Sequence, residues 1–327
     1  MRSYPCVIAL SPAGGRPMGE IDWWCGQYDP QKQFRIGRSS ASRNGYIIIA
    51  PMWSRNTQRR YEYSVREHGR VLAAYRDAIR RVNIDVDRVF IAGHNGGGTA
   101  AWDIAVSHPD LWAGMISIGA EPNHTLRHYS DNGHLVPLYV VTGQIAGSPI
   151  PMDRYGKILD EYMRYKNNTM VVMYRGRGPE DYIEELPHLM KWMGQSVHRR
   201  GRLPEKIETV TMRRCDSSFY WIEMNQMNED ILYDPLLWKQ YGIKKTAARV
   251  TGTIHQDNTI RIFRMPASQY TIWVHPQMGL NFGETIRVQH RNRSAKIDFD
   301  STVDVMLEDA RTRGDRKRPF WAKAVIP

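Results

Sequence analysis

The chain has 327 residues, 42% hydrophobic and 24% charged, with 45 Lys and Arg against 34 Asp and Glu for a formal charge of +11. At about 150 residues per domain this length suggests two domains, and the composition excludes a disordered, collagen-like or low-complexity protein. No apolar run approaches the roughly 18–20 residues needed to span a bilayer, and Cys6, Cys25 and Cys215 lack the spacing of a disulfide framework or a cysteine zinc site.

Residues 5–10 (Pro-Cys-Val-Ile-Ala-Leu) are a short continuous apolar run, the pattern of a buried parallel strand. No small-residue cleavage pattern follows, so no signal peptide is read and a cytoplasmic chain is the default expectation. After the loop Ser11-Pro12-Ala13-Gly14-Gly15 comes a second such strand, residues 46–50, stopped by Pro51. From Glu62 to Val82 the residues Val65, Leu72, Tyr75, Ile79 and Val82 recur at helical spacing. Then come a strand at 88–92, a glycine turn, and a helix from about Gly97 to Ser107 that His108-Pro109 ends. Strands at 114–118, 137–142 and 169–174 follow, with helices over about 153–166 and 181–198. Continuous apolar strands alternating with amphipathic helices predict a mainly parallel α/β sheet covered on both faces, with six strands in residues 1–200.

The pattern changes at Gly201-Arg202-Leu203-Pro204. Beyond it the runs are short and β-like, separated by turn signals such as Asp257-Asn258 and Pro276-Gln277-Met278-Gly279. A smaller β-rich domain is therefore expected over residues 206–327. Basic residues gather at Arg59-Arg60, Arg80-Arg81, His198 to Arg202, Arg287 to Arg293 and Arg311 to Arg318. No nucleic-acid motif accompanies them, so they read as solvated faces, and an anion-binding role rests on charge alone.

The strongest local signal is Gly93-His94-Asn95-Gly96-Gly97, set between a strand and a helix. Gly-x-Ser-x-Gly in that context is a nucleophile elbow, whose central residue takes a positive φ in a tight strand-to-helix turn. Position 95 is Asn, which tolerates left-handed geometry but has no group to attack a carbonyl. An acid is expected after the strand at 137–142, yet that loop, Gly143-Gln144-Ile145-Ala146-Gly147-Ser148, has no carboxylate. A histidine is expected after the strand at 169–174, yet Arg175-Gly176-Arg177-Gly178-Pro179-Glu180-Asp181 has none.

The chain resembles the dienelactone-hydrolase and prolyl-oligopeptidase-like branch of the α/β-hydrolases, in particular bacterial esterase- and peptidase-like proteins with a β-rich C-terminal extension. The stretches that carry the resemblance are 4–10, 45–51, 85–94, Ala101-Trp102-Asp103 running on to His108-Pro109-Asp110-Leu111-Trp112-Ala113-Gly114, and Tyr174 to Gly178, with 307–315 nearer the C-terminus. It implies an α/β-hydrolase-like fold and places the family's serine on Asn95, its aspartate on Ala146 and its histidine on Pro179. The histidine usual before the oxyanion loop falls on Ser11. The oxyanion-hole backbone would be Gly96 with Ala13 or Gly14. The departures fall on the chemistry and leave the scaffold.

Simpler readings stand beside these. His94 reads as a packed loop histidine or a ligand-binding one, and Trp23, Trp24 and Trp53, placed in loops after the first two strands, as core or as pocket lining with Ser11. Glu180, Glu184 and His188 recur at helical spacing and read as a solvated face, so no metal and no cofactor is expected. Two functions remain open. One is a pseudo-hydrolase that binds a ligand or protein partner without turnover. The other is an active serine-type esterase or peptidase with a non-standard nucleophile. An α/β-hydrolase sheet normally has strands before the one that leads to the oxyanion loop, and here that strand begins at Pro5. Residues 46–50 are therefore expected at a sheet edge, covered by self-association or by a longer chain, with the C-terminal β-domain as a further, less favoured cover.

Overall fold

A computed structural model describes residues 3–36, 41–120, 124–145, 152–164, 168–232 and 246–327. The chain divides into two compact units, Met1–Arg200 and Gly201–Pro327.

The first unit runs β1 (Tyr4–Leu10), α1 (Pro17–Cys25), β2 (Gln27–Asp29), β3 (Phe34–Ile36), β4 (Ile47–Ile49), α2 (Val65–Arg81), β5 (Ile84–His94) and α3 (Gly96–Ser107). It continues with β6 (Gly114–Ile118), α4 (His124–His128), β7 (Leu138–Gly143), α5 (Met152–Arg164), β8 (Thr169–Tyr174) and α6 (Leu186–Met193). Six of these strands form one sheet in the order β4-β1-β5-β6-β7-β8, and each pairing is parallel. β6 and β7 are buried at every residue, as their uninterrupted apolar sequences require of central strands covered on both sides.

Alternate residues along a strand face opposite sides of the sheet. Val7, Phe90, Ile116 and Ile118 share one face with Trp24 of α1 and with Leu189 and Trp192 of α6. Ser117, of the opposite parity, donates its hydroxyl to Gly98 O of α3 at 3.1 Å, so helices lie against both faces. The N-terminus of α2 is held by a capping box between Ser64 and Glu67, and its stripe Val71, Leu72, Tyr75 and Ile79 is buried.

α1 and the region 181–198 differ from the sequence reading. Trp23 and Trp24 lie on a helix, α1, and not in a loop. Pro17 opens it and Gly26, at φ 79°, closes it, and the helix is only nine residues long. The expected helix over 181–198 is a 3-10 turn, Ile183–Glu185, followed by the short α6, because Tyr182 is left-handed (φ 46°) and Pro187 opens a new helix. Glu180, Glu184 and His188 therefore do not share one helical face. β4 ends the sheet and, among the described residues, pairs only with β1. Residues 46–50 are half-buried there.

The second unit holds β9 (Lys206–Thr211), β10 (Ser218–Phe219), β11 (Ile222–Met227), β12 (Ala248–His255), β13 (Thr259–Arg264), β14 (Ala267–Val274), β15 (Ile286–His290), β16 (Arg293–Ile297), α7 (Asp304–Arg313) and β17 (Ala322–Ile326). Two sheets, β10-β11-β14-β17 and β16-β15-β13-β12-β9, share one core in which Trp221, Tyr270 and Ile272 meet Val250, Ile260 and Val288. The helix α7 has no counterpart in the β-like reading of this region. It lacks an apolar stripe, with Leu307 exposed, and is tied down by buried Asp309, which accepts from Arg313 and from the Phe320 backbone N–H. No helix among the described residues is long and apolar enough to cross a membrane.

Candidate functional site

β5 ends at His94, α3 begins at Gly96, and Asn95 between them has φ 49° and ψ −118°. Its N–H donates to Ile118 O at 2.8 Å and its carbonyl accepts from Thr99 N at 3.0 Å, which pins the turn to β6 and to the first turn of α3. The glycines are steric necessities. A Cβ on Gly93 would stand 2.3 Å from Gly97 O, and one on Gly97 would stand 2.2 Å from Leu10 O. Strand and helix approach so closely that neither position has space for a side chain. The turn thus has the geometry of a nucleophile elbow with a carboxamide at its tip.

Gly96 lies against the loop after β1: a Cβ there would be 3.2 Å from Ala13 Cβ and 3.4 Å from Ala13 N. Of the two loop residues expected to face it, Gly14 has its N–H committed to Ser54 Oγ at 3.0 Å. The pair of backbones beside the elbow is therefore Ala13 and Gly96.

The loops at the C-terminal ends of the next three strands converge on the same edge. A Cβ on Gly119 would lie 3.0 Å from Asn95 Oδ1 and 3.7 Å from Glu180 O. Ile145 N donates to Arg177 O at 2.8 Å, joining the loop after β7 to the loop after β8. The segment that carries Pro179 is thus brought beside Asn95, with Pro179 itself exposed. Ala146 lies outside the described residues. Glu180 and Glu184, two of the carboxylates of this loop region, both accept from Arg177. The guanidinium holds Glu180 below the ordinary carboxylate value.

His94 carries a partner that the sequence reading missed. Its Nδ1 is 3.0 Å from both carboxylate oxygens of Glu20, and the two residues are 6% and 4% exposed. A carboxylate only accepts, so Nδ1 carries the proton of this contact. Nε2 is buried and has no hydrogen-bond partner. Trp23 stands edge-on to the imidazole, centroids 4.6 Å apart, with its indole N–H on Asp181 O at 3.0 Å. The signal for Glu20 was its place on a helix with Trp23 and Trp24 at three and four residues' spacing, and it was hidden because α1 was read as loop. Ser11 and Trp53 belong to the packed interior: they are 2% and 0% exposed, and the Trp53 N–H donates to Ser11 O at 3.0 Å. Their burial accords with the core reading, one of the two open for them.

A second histidine–carboxylate pair lies between α2 and α3. His68 Nε2 is 3.0 Å from Asp103 Oδ2, and Tyr61 OH is 2.7 Å from each of these two atoms. His68 Nδ1 faces His108 Nε2 at 3.3 Å. The His68 and Asp103 side chains are fully buried.

No protein family and no curated protein matches the sequence. Among solved structures, the chain is similar to a thermostable esterase at 17% identity and TM-score 0.45, covering 59% of this chain and 54% of that one. It is similar also to a phospholipase/carboxylesterase from Dyadobacter fermentans at 16% identity and TM-score 0.42, covering 59% of this chain and 91% of that one. At these identities and scores neither likeness assigns a family, a substrate or an activity.

Proposed function

We propose that the chain is a catalytically inactive α/β-hydrolase homologue that binds a ligand or protein partner at the C-terminal edge of its parallel sheet. The observation that carries this reading is Asn95: a carboxamide occupies the tip of a turn with elbow dihedrals. An amide nitrogen, its lone pair delocalised, does not add to an ester carbonyl. The one bare imidazole nitrogen beside the turn, His94 Nε2, has no hydroxyl or thiol in hydrogen-bond contact to activate. In a protease with a serine triad, losing the nucleophile or base alone costs about 10⁶ in turnover, and binding plus an oxyanion hole retains roughly 10³–10⁴ over water. Ala13 and Gly96 lie together beside the elbow, which supports retained recognition of a carbonyl-bearing ligand.

The test is an active-site fluorophosphonate probe together with p-nitrophenyl esters. The native chain is expected to remain unlabelled and to release no nitrophenol above background. The single change Asn95→Ser is expected to stay silent, because no base is placed for it. The triple change Asn95→Ser, Ala146→Asp and Pro179→His is expected to recover labelling. Labelling of any serine in the native chain, abolished by denaturation, would establish the alternative, an active esterase or peptidase with a non-standard nucleophile.

A further inference from the structure

The chain contains three Asn-Gly dipeptides, Asn44-Gly45, Asn95-Gly96 and Asn132-Gly133. In such a pair the backbone nitrogen of the glycine, with no side chain to obstruct it, can attack the amide carbon Cγ of the asparagine. The product is a five-membered cyclic imide, closed by the glycine N and the asparagine C, Cα, Cβ and Cγ. The ring closes only where the torsion from Cβ through Cα and C to the next nitrogen is near zero. In an L residue Cβ stands about 120° from N around the Cα–C bond, so that torsion requires ψ close to about −120°. Helical ψ, about −42°, and strand ψ, about +135°, both turn the nitrogen away from the side chain.

Asn95 has ψ −118°. The strand-to-helix turn therefore holds Cβ and Gly96 N nearly eclipsed, and rotation about Cα–Cβ alone brings Cγ onto the nitrogen. The backbone hydrogen bonds of Asn95, to Ile118 O and from Thr99 N, keep this geometry in place. Asn95 is exposed, and its carboxamide makes no hydrogen bond among the described residues. Gly96 is the first residue of α3, so its N–H has no acceptor inside the helix. The positive end of the helix also favours the anionic nitrogen that attacks. The other two pairs lack these features. Gly45 N is engaged on Ser42 O at 3.1 Å. Asn132 lies in a 3-10 turn, where ψ is about −20 to −30°. It is fully buried, with its side-chain amide on Val106 O at 2.9 Å.

We infer that Asn95-Gly96 is a self-modification site, at which the folded chain converts the elbow carboxamide to a carboxylate. Gly96 N bonds to Asn95 Cγ, the Cγ–Nδ2 bond breaks, and ammonia leaves with the proton from Gly96 N. Water then adds to one imide carbonyl and opens the ring. Breaking the bond from Gly96 N to Cγ leaves aspartate, and breaking its bond to the backbone carbon leaves isoaspartate. Either product places a negative charge beside the N-terminus of α3, where the helix dipole favours it. This chemistry needs only the elbow backbone and water, and neither a bound ligand nor turnover.

The test follows the full chain at mildly alkaline pH, native and in guanidinium chloride, with peptides carrying the three pairs weighed by mass spectrometry at intervals. Each native rate of conversion is divided by the rate of the same peptide in denaturant. At Asn95 the ratio is expected to be about five or more, because the turn sets one residue's backbone in advance. At Asn44 and Asn132 it is expected to fall below unity. An imide lighter by ammonia is expected to precede the acid at position 95. A ratio at Asn95 of unity or less, or one no higher than at Asn44, would overturn the inference.

Discussion

Among the described residues, the first unit contains two buried histidine–carboxylate pairs with different surroundings. At His68–Asp103 the imidazole has neighbours on both nitrogens, and the carboxylate also takes the Tyr61 hydroxyl. At His94–Glu20 one nitrogen is held and the other is bare, next to the strand-to-helix turn. The first is a closed network between two helices, and the second is an open one at the edge where the loops converge. Residue type and burial are nearly the same in both; the second imidazole nitrogen has a neighbour in one pair and no hydrogen-bond partner in the other.

Mutation tests this contrast. Asp103→Ala removes the acceptor shared by Tyr61 and His68 in a fully buried cluster, and about 3–5 kcal/mol of stability should be lost, read from chemical denaturation. Glu20→Ala leaves one imidazole nitrogen unpaired and should cost less, about 1–3 kcal/mol. Equal costs at the two sites would remove the distinction between closed and open pairs. Gly97→Ala, which drives a methyl into Leu10 O, should cost about 1–3 kcal/mol through displacement of α3 from β1. No loss there would mean that the turn relaxes freely.

The C-terminal unit supplies a histidine in a third setting. His275 Nδ1 accepts the Gln277 N–H at 3.0 Å, a bond that only the unprotonated nitrogen makes. Burial, then Arg318 and Arg313, hold it below the ordinary histidine value. The unfolded chain therefore binds the proton more readily than the folded one. The contribution is complete above about pH 6.5, the ordinary histidine value, and is lost as pH falls through the lowered one. Denaturation midpoints should drop between about pH 7.5 and pH 5.5, and His275→Gln should flatten that part of the slope. A steeper slope in the variant would reverse the sign of the argument. The smallest effect is expected at Arg177→Gln, whose exposed pairs with Glu180 and Glu184 should leave the thermal midpoint almost where it was.

Strand identity and the turn at 93–97 were legible in the sequence because each depends on neighbours along the chain. A short uninterrupted run rich in β-branched and aromatic residues, such as Leu-Tyr-Val-Val-Thr, favours a buried strand, and Gly-His-Asn-Gly-Gly between a strand and a helix permits few backbones. The six-stranded parallel sheet and the change of character near residue 201 followed from the same local signals. α1 and α7 were not legible, because one is nine residues long and the other has no apolar stripe; each is held by contacts that no window of sequence contains. The pairing of Glu20 with His94 spans 74 positions, and that of Tyr270 with His290 joins two sheets. A side chain's donors and acceptors are satisfied or left bare by whatever the fold brings beside it. The sequence could therefore name His94 and the basic run at 287–293, but only the tertiary structure decided which of their atoms are left without a partner.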